Sequence, residues 1–237
     1  MQLQLIQIGF IILTVGSYAL LFIEIKKTIA LSAWSVSKQK RTFIIFLLAL
    51  SAWALFVTFW SVMGKMGDFQ IFPFNVILVF AIPLIAVLAF TFSKIGTEIL
   101  LLIPTENIIR LQAFRFFVEL LLAGLYILGQ APIQMTFEGR NFDILSGISA
   151  PVIAFLVMKR KISKKGLVIW NLLCLGILIN IVAAAILSMP APFRVFMNEP
   201  SSIIVTKFPV SLLPGLLVPL AYGLHFLSLR KLLLKQF

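Results

Sequence analysis

The sequence predicts an all-α fold, a polytopic bundle of seven membrane-spanning helices. Three observations predict it. Of the 237 residues, 61% are hydrophobic and 12% charged, whereas soluble domains run near half and a quarter. The apolar residues gather in seven runs, at about 3–24, 42–63, 72–92, 107–129, 142–158, 166–188 and 209–230. The basic residues between the runs alternate from rich to poor.

Most of these runs reach the ~20 residues that cross a hydrocarbon core at 1.5 Å per residue. No Lys or Arg precedes the first, and no small-residue cleavage site follows it. Ser17–Tyr18 leads into more apolar sequence and then Glu24–Ile25–Lys26–Lys27, so the run reads as a retained helix rather than a cleaved signal. The second run lies between Arg41 and Lys65. The third starts at Phe72–Pro73 and ends before Lys94. The stretch from Gly96 to Pro104 is too short to span and suits the membrane interface, with Thr105 as N-cap of the fourth helix. The fifth run is the shortest, tilted less than the others or partly sunk in the bundle. The sixth carries Asn171, Cys174 and Asn180, and the seventh runs from Phe208–Pro209 to Arg230.

The charges set the orientation. Lys26, Lys27, Lys38, Lys40 and Arg41 follow the first run, and Lys159, Arg160, Lys161, Lys164 and Lys165 follow the fifth. Lys94 and Arg110 follow the third, and Arg230, Lys231 and Lys235 end the chain. The other loops carry only Lys65, Arg140, Arg194 and Lys207. Cationic loops stay cytoplasmic, so the N-terminus is expected outside and the C-terminus inside, in a multi-pass protein of the cell inner (plasma) membrane. An even number of helices would break the alternation. The net charge of +12 is then a property of loops beside a bilayer, not a nucleic-acid footprint. Residues 1–237 form one transmembrane domain. With one Cys and one His, no disulfide framework or multi-ligand zinc site is available. No metal and no cofactor is expected, and the oligomeric state is not readable.

An internal repeat is suggested by proline spacing. Pro73 and Pro83 recur as Pro209 and Pro219, with Phe90 aligned on Phe226. Two like-oriented three-helix units around the fourth helix would give a 3+1+3 parallel repeat. The plainer account is two apolar helices that each tolerate proline.

Polar residues inside the runs are the candidate site. Gln112, Arg115 and Glu119 fall on one stripe of the fourth helix, and Arg115 and Glu119, four apart, can pair. A charge near the bilayer centre costs about 2.5–3.5 kcal/mol, so the stripe should face inward. It either binds a ligand or a proton, or is an internal ion pair that fixes packing. The seventh helix adds Tyr222, His225 and Ser228. His225, Arg115 and Asn171 lie at similar depth, roughly 10 Å from the cytoplasmic ends at 1.5 Å per residue. A buried polar site of Gln112, Arg115, Glu119, Asn171, Tyr222 and His225 follows if the fourth, sixth and seventh helices meet. The segment Met135 to Asp143 is the most distinctive loop. Glu138, Arg140, Asn141 and Asp143 would stand at the outer face, as a recognition loop or, for Asn141 or Asp143, as a cap of the fifth helix.

The run Gln112–Ala113–Phe114–Arg115 with Glu119, the run from Met135 through Asn141–Phe142–Asp143 to Leu145, then Trp170–Asn171, Phe208–Pro209, Pro219 and His225, resemble a family of hypothetical bacterial seven-helix membrane proteins. The resemblance covers roughly the second half of the chain. It implies seven helices and a bacterial inner membrane, and brings no mechanism. No Gly-rich phosphate loop or Gly-x-Ser-x-Gly is present, and no lysine lies inside the seventh run for a retinal link. Three functions stay open: transport of a small solute or ion through the buried polar site; an intramembrane enzyme on a lipid or isoprenoid with Glu119 or His225 as acid–base; and a sensor or complex subunit binding through its outer loops. The chain leans away from an enzyme. The partners expected are the bilayer and a small-molecule or ion ligand.

Overall fold

The structure, a computed structural model, describes residues 1–68, 70 and 73–234. Phe72, where the third span was expected to start, and Lys235 of the tail lie outside the described residues. All regular structure among the described residues is helical: α1 (Gln2–Ala30), α2 (Val36–Val62), α3 (Phe74–Phe92), α4 (Lys94–Leu102), α5 (Thr105–Leu111), α6 (Phe114–Ile127), α7 (Asp143–Met158), α8 (Lys164–Leu187) and α9 (Val218–Leu234). A π-helical turn, Leu213–Leu217, runs directly into α9.

Among the described residues five helices are long and apolar enough to cross a membrane: α1, α2, α3, α8 and the continuous Leu213–Leu234. The other two expected spans depart from that form. The run at 107–129 is two helices of 7 and 14 residues, broken at Gln112–Ala113. There the backbone tightens, with Arg115 N–H bonding Gln112 O at 3.1 Å and Phe116 N–H bonding Ala113 O at 3.2 Å. The run at 142–158 becomes α7, of 16 residues, short of a full crossing. The segment before it folds into the bundle and buries Ala131, Gln134, Met135, Thr136 and Asn141.

Serine caps set three helix starts. The hydroxyls of Ser35, Ser93 and Ser163 accept from Lys38 N, Gly96 N and Gly166 N at 3.3, 2.9 and 3.1 Å. They start α2 six residues before the apolar run and make α4 a separate short helix. Thr105 does not cap α5; it is the first helical residue, behind Pro104. The turns α1–α2 and α7–α8, together with the helix ends that flank them, carry eight of the thirteen lysines and mark what we term the basic end.

The final helix is the hub, packed on α3, α5, α8 and α4. Most of α9 is buried, while α1 and α2 present Leu5, Ile12, Val15, Leu48, Leu55 and Phe59 outward. Close approach needs small residues: a methyl at Gly223 of α9 would meet Val87 of α3 at 2.9 Å, and one at Gly147 of α7 would meet the backbone N of Phe116 at 2.2 Å. At the basic end α4 is pinned twice. Lys231 donates to Leu100 O at 2.6 Å and to Ile103 O. Glu98 accepts from the Trp34 indole and lies 3.6 Å from Lys38, whose ammonium stands 4.0 Å over the Trp34 ring. The proline-spaced pair α3 and α9 lie against each other but differ in form. Helix α3 stays α-helical through Pro83, whereas Leu213–Leu217 before Pro219 is π-helical.

Candidate functional site

Arg115 sits on the first turn of α6, just past the break, and is 1% exposed. A guanidinium there needs a counter-charge. The sequence pairs it with Glu119; the structure pairs it with Asp143. Arg115 Nε donates to Asp143 Oδ2 at 2.7 Å and Nη2 to Oδ1. This two-pronged contact is the strongest geometry open to the pair. Asp143 reaches Arg115 because α7 starts late, inside the bundle, and because Gly147 lets α7 lie against the backbone of α6.

The remaining Arg115 donors extend the network. Nη2 donates to Cys174 O at 3.3 Å, and Nη1 lies 2.8 Å from His225 Nε2. A guanidinium only donates, so His225 Nε2 accepts and the imidazole is neutral, with its proton on Nδ1. That proton goes to Asn171 Oδ1 at 3.0 Å, and Asn171 Nδ2 donates to Leu167 O at 2.9 Å. The chain Arg115–His225–Asn171–Leu167 thus runs one way, each donor used once. Gln112 donates to Ala221 O at 3.2 Å, and its Oε1 is buried without a partner.

Glu119 lies one turn along α6, also 1% exposed. Asn141 Nδ2 is 2.7 and 2.6 Å from its two oxygens and 3.0 Å from Met135 O. Asn141 Oδ1 accepts from Asp143 N at 3.0 Å, so one side chain fixes the turn into α7 and holds Glu119. Arg115 is matched by Asp143, and no cation is paired with Glu119 among the described residues.

The structure therefore brings together Gln112, Arg115, Glu119, Asn171 and His225 and adds Asn141 and Asp143, which the sequence places on the outer face. Glu138 and Arg140 are exposed; the Arg140 guanidinium lies 5.0 Å from the Phe196 ring and its carbonyl accepts from Asn180 at 2.6 Å. Tyr222 is buried one turn from His225, its ring on Phe80 and Phe226 at 5.7 and 6.1 Å. A signal for Asp143 was in the sequence: the only run with an interior arginine precedes the only run that opens on an acid.

Above this layer, away from the basic end, lies a cavity of about 250 Å³. Its walls are apolar, among them Phe80, Val118, Leu122, Leu178 and Leu217, and its polar lining is Arg115, Glu119 and Asp143. Pro73, Ile77 of α3, Ile186 of α8 and Phe193 also line it. Below the charged layer, Ile109, Ala150, Ala154, Val157, Leu167 and Leu232 pack as a closed apolar plug. No set of three His, Cys, Asp or Glu side chains that could hold a metal occurs among the described residues.

Residues 71–233 match the family described as Domain of unknown function (DUF8737), and the chain belongs to that family. The match takes in every residue of the charged layer and begins beyond α2. No curated protein and no solved structure matches the chain.

Proposed function

We propose that this member of the family is a seven-pass membrane protein, N-terminus outside and basic end cytoplasmic, that carries a small ligand across the bilayer through the Arg115–Asp143–Glu119 site. In this reading α5 and α6 together make the fourth pass and α7, with the inward-folded segment before it, the fifth. The observation that carries the reading is an asymmetry. Charged residues from α6 and α7, backed by α8 and α9, converge on the floor of a cavity, while an apolar plug closes the other side. A buried ionisable group is expensive in a membrane and is kept where it binds or relays something. A site sealed toward one end by packed apolar side chains is what alternating access requires of one of its two states. An enzyme reading is less well supported, because both ring nitrogens of His225 are committed to Arg115 and Asn171.

The test needs no known ligand. Cys174 is the single cysteine, so a Cys174→Ser background accepts one reporter at a time. Val118→Cys reports the cavity and Ala154→Cys the plug. Membrane-impermeant thiol reagents are applied to oriented vesicles from either side. Transport predicts that Val118→Cys reacts from the outer side and that Ala154→Cys reacts, more slowly, from the cytoplasmic side. A plug cysteine inert from both sides over hours would show a static bundle and end the transport reading.

A further inference from the structure

We infer that the ligand of this site is a lipophilic amine, with an apolar body that fills the cavity and a protonated nitrogen that bonds Glu119. The inference deepens the transport reading, since it assigns a substrate class to the same cavity.

Two observations carry it. The first is the wall chemistry. The polar lining residues all stand at the floor, and everything above them is Phe, Val, Leu, Ile, Ala, Met or Pro. A hydrated ion or sugar would lose its water there with nothing to replace it. The occupant is therefore mainly hydrocarbon. At ~30 Å³ per water-sized group, 250 Å³ holds a single ring with a short chain.

The second is the charge count at the floor. Arg115 and Asp143 cancel through their two-pronged contact. His225 is neutral because it accepts from Arg115. Glu119 remains, 1% exposed, bordering the cavity, held only by the neutral amide of Asn141. No cation accompanies Glu119 among the described residues. A carboxylate-bearing ligand would set an anion beside the Glu119 carboxyl; an ammonium supplies it with a counter-charge. Its nitrogen offers donors to the Glu119 oxygens, which among the described residues accept only from Asn141.

The experiment uses the full-length protein in nanodiscs and three probes that share one body: 4-phenylbutylamine, 4-phenylbutanol and 4-phenylbutyrate. Binding is read by calorimetry. The amine is expected to bind roughly tenfold to a hundredfold more tightly than the alcohol, the range of one charge-assisted hydrogen bond, and the acid to bind weakest. Glu119→Gln should bring the amine down to the level of the alcohol. Leu122→Trp, which fills the cavity, should remove all three. If the acid binds as well as the amine, Arg115 sets the preference and the inference is overturned. If none of the probes binds to monodisperse wild-type protein, the cavity is not a ligand site and the inference falls as well. Should Glu119→Gln fail to fold, the ranking of the three heads on wild type still decides. Amine binding with an inert plug cysteine would keep this inference and remove the transport reading; a reactive plug with no binding would do the reverse.

Discussion

Replacing Asp143 by Asn keeps the side-chain shape and removes the charge. The consequence is set by what Arg115 has left. Two of its donor positions, Nε and Nη2, lose a carboxylate, and the Asn amide turns one N–H toward a group that can only donate. The remaining partners, His225 Nε2 and Cys174 O, are neutral. With Arg115 at 1% exposure, no water relieves it. Removing one partner of a buried pair costs about 3–5 kcal/mol. At ~2–4 °C per kcal/mol for a chain of this size, the apparent Tm in detergent should fall by about 6–20 °C. The measurement is loss of monodisperse protein on size-exclusion chromatography after stepwise heating. The double variant Arg115→Met with Asp143→Leu removes both charges at once and should recover most of the loss, because an apolar pair of similar volume is often as stable as a buried ion pair. If the single variant melts within ~2 °C of wild type, or if the double is the worse of the two, the buried pair is not what holds α6 to α7.

Four further outcomes follow from the same contacts. Asn141→Ala removes the amide shared by Glu119 and Met135 O and the acceptor of Asp143 N; it should cost about 1–3 kcal/mol and speed amide exchange across residues 133–143, whereas unchanged exchange would place the turn's order elsewhere. Gly147→Ala puts a methyl 2.2 Å from the Phe116 backbone nitrogen, so the helices must part; about 1–3 kcal/mol of overpacking strain should appear as lower yield and Tm, with a neutral result ruling out the close approach. Lys231→Met takes the ammonium from the Leu100 and Ile103 carbonyls and should loosen α4, seen as faster exchange at 96–103 while α9 stays protected. In the loop after α8, the Glu199 carboxyl is held below its ordinary range mainly by the hydrogen bond from Arg194. A depressed carboxyl stabilises above its unfolded pKa and stops doing so as pH falls through the folded one, so exchange at 194–200 should rise only below about pH 4.5; a rise already near neutrality would exclude this contact as the cause.

Much of the architecture is legible in composition and period, and the site only in part. Long uniform runs such as Phe74–Phe92 and Lys164–Leu187 are apolar on every side, which reads as a helix with no ambiguity. The fourth run fails that rule at Gln112–Ala113, where no proline or glycine marks the break; the cause is tertiary, a glutamine drawn to Ala221 O. Helical spacing puts Gln112, Arg115 and Glu119 on one face but says nothing of what crosses the bundle to meet them. Asn141 and Asp143 look like loop residues because turn formers surround them. Their burial depends on the segment before α7 folding into the bundle, which only packing shows. The sequence resemblance, noticed over the second half of the chain, falls within the longer match at 71–233.

The late start of α7 has a consequence for how the protein is made. Arg115, Glu119, Asn141 and Asp143 all belong to one stretch of chain, α6, the inward-folded segment and α7. Arginine entering a bilayer alone costs about 2.5–3.5 kcal/mol, a sum the marginal apolar length of α7 does little to offset. In a hairpin of α6 and α7 the two charges neutralise each other, ahead of α8 and α9 in the chain. His225 and Asn171 then arrive on α9 and α8 to close a charged layer already assembled. The Arg115–Asp143 pair is thus complete on two adjacent helices in a chain that has reached Met158, whereas the buried Lys231 arrives only with α9.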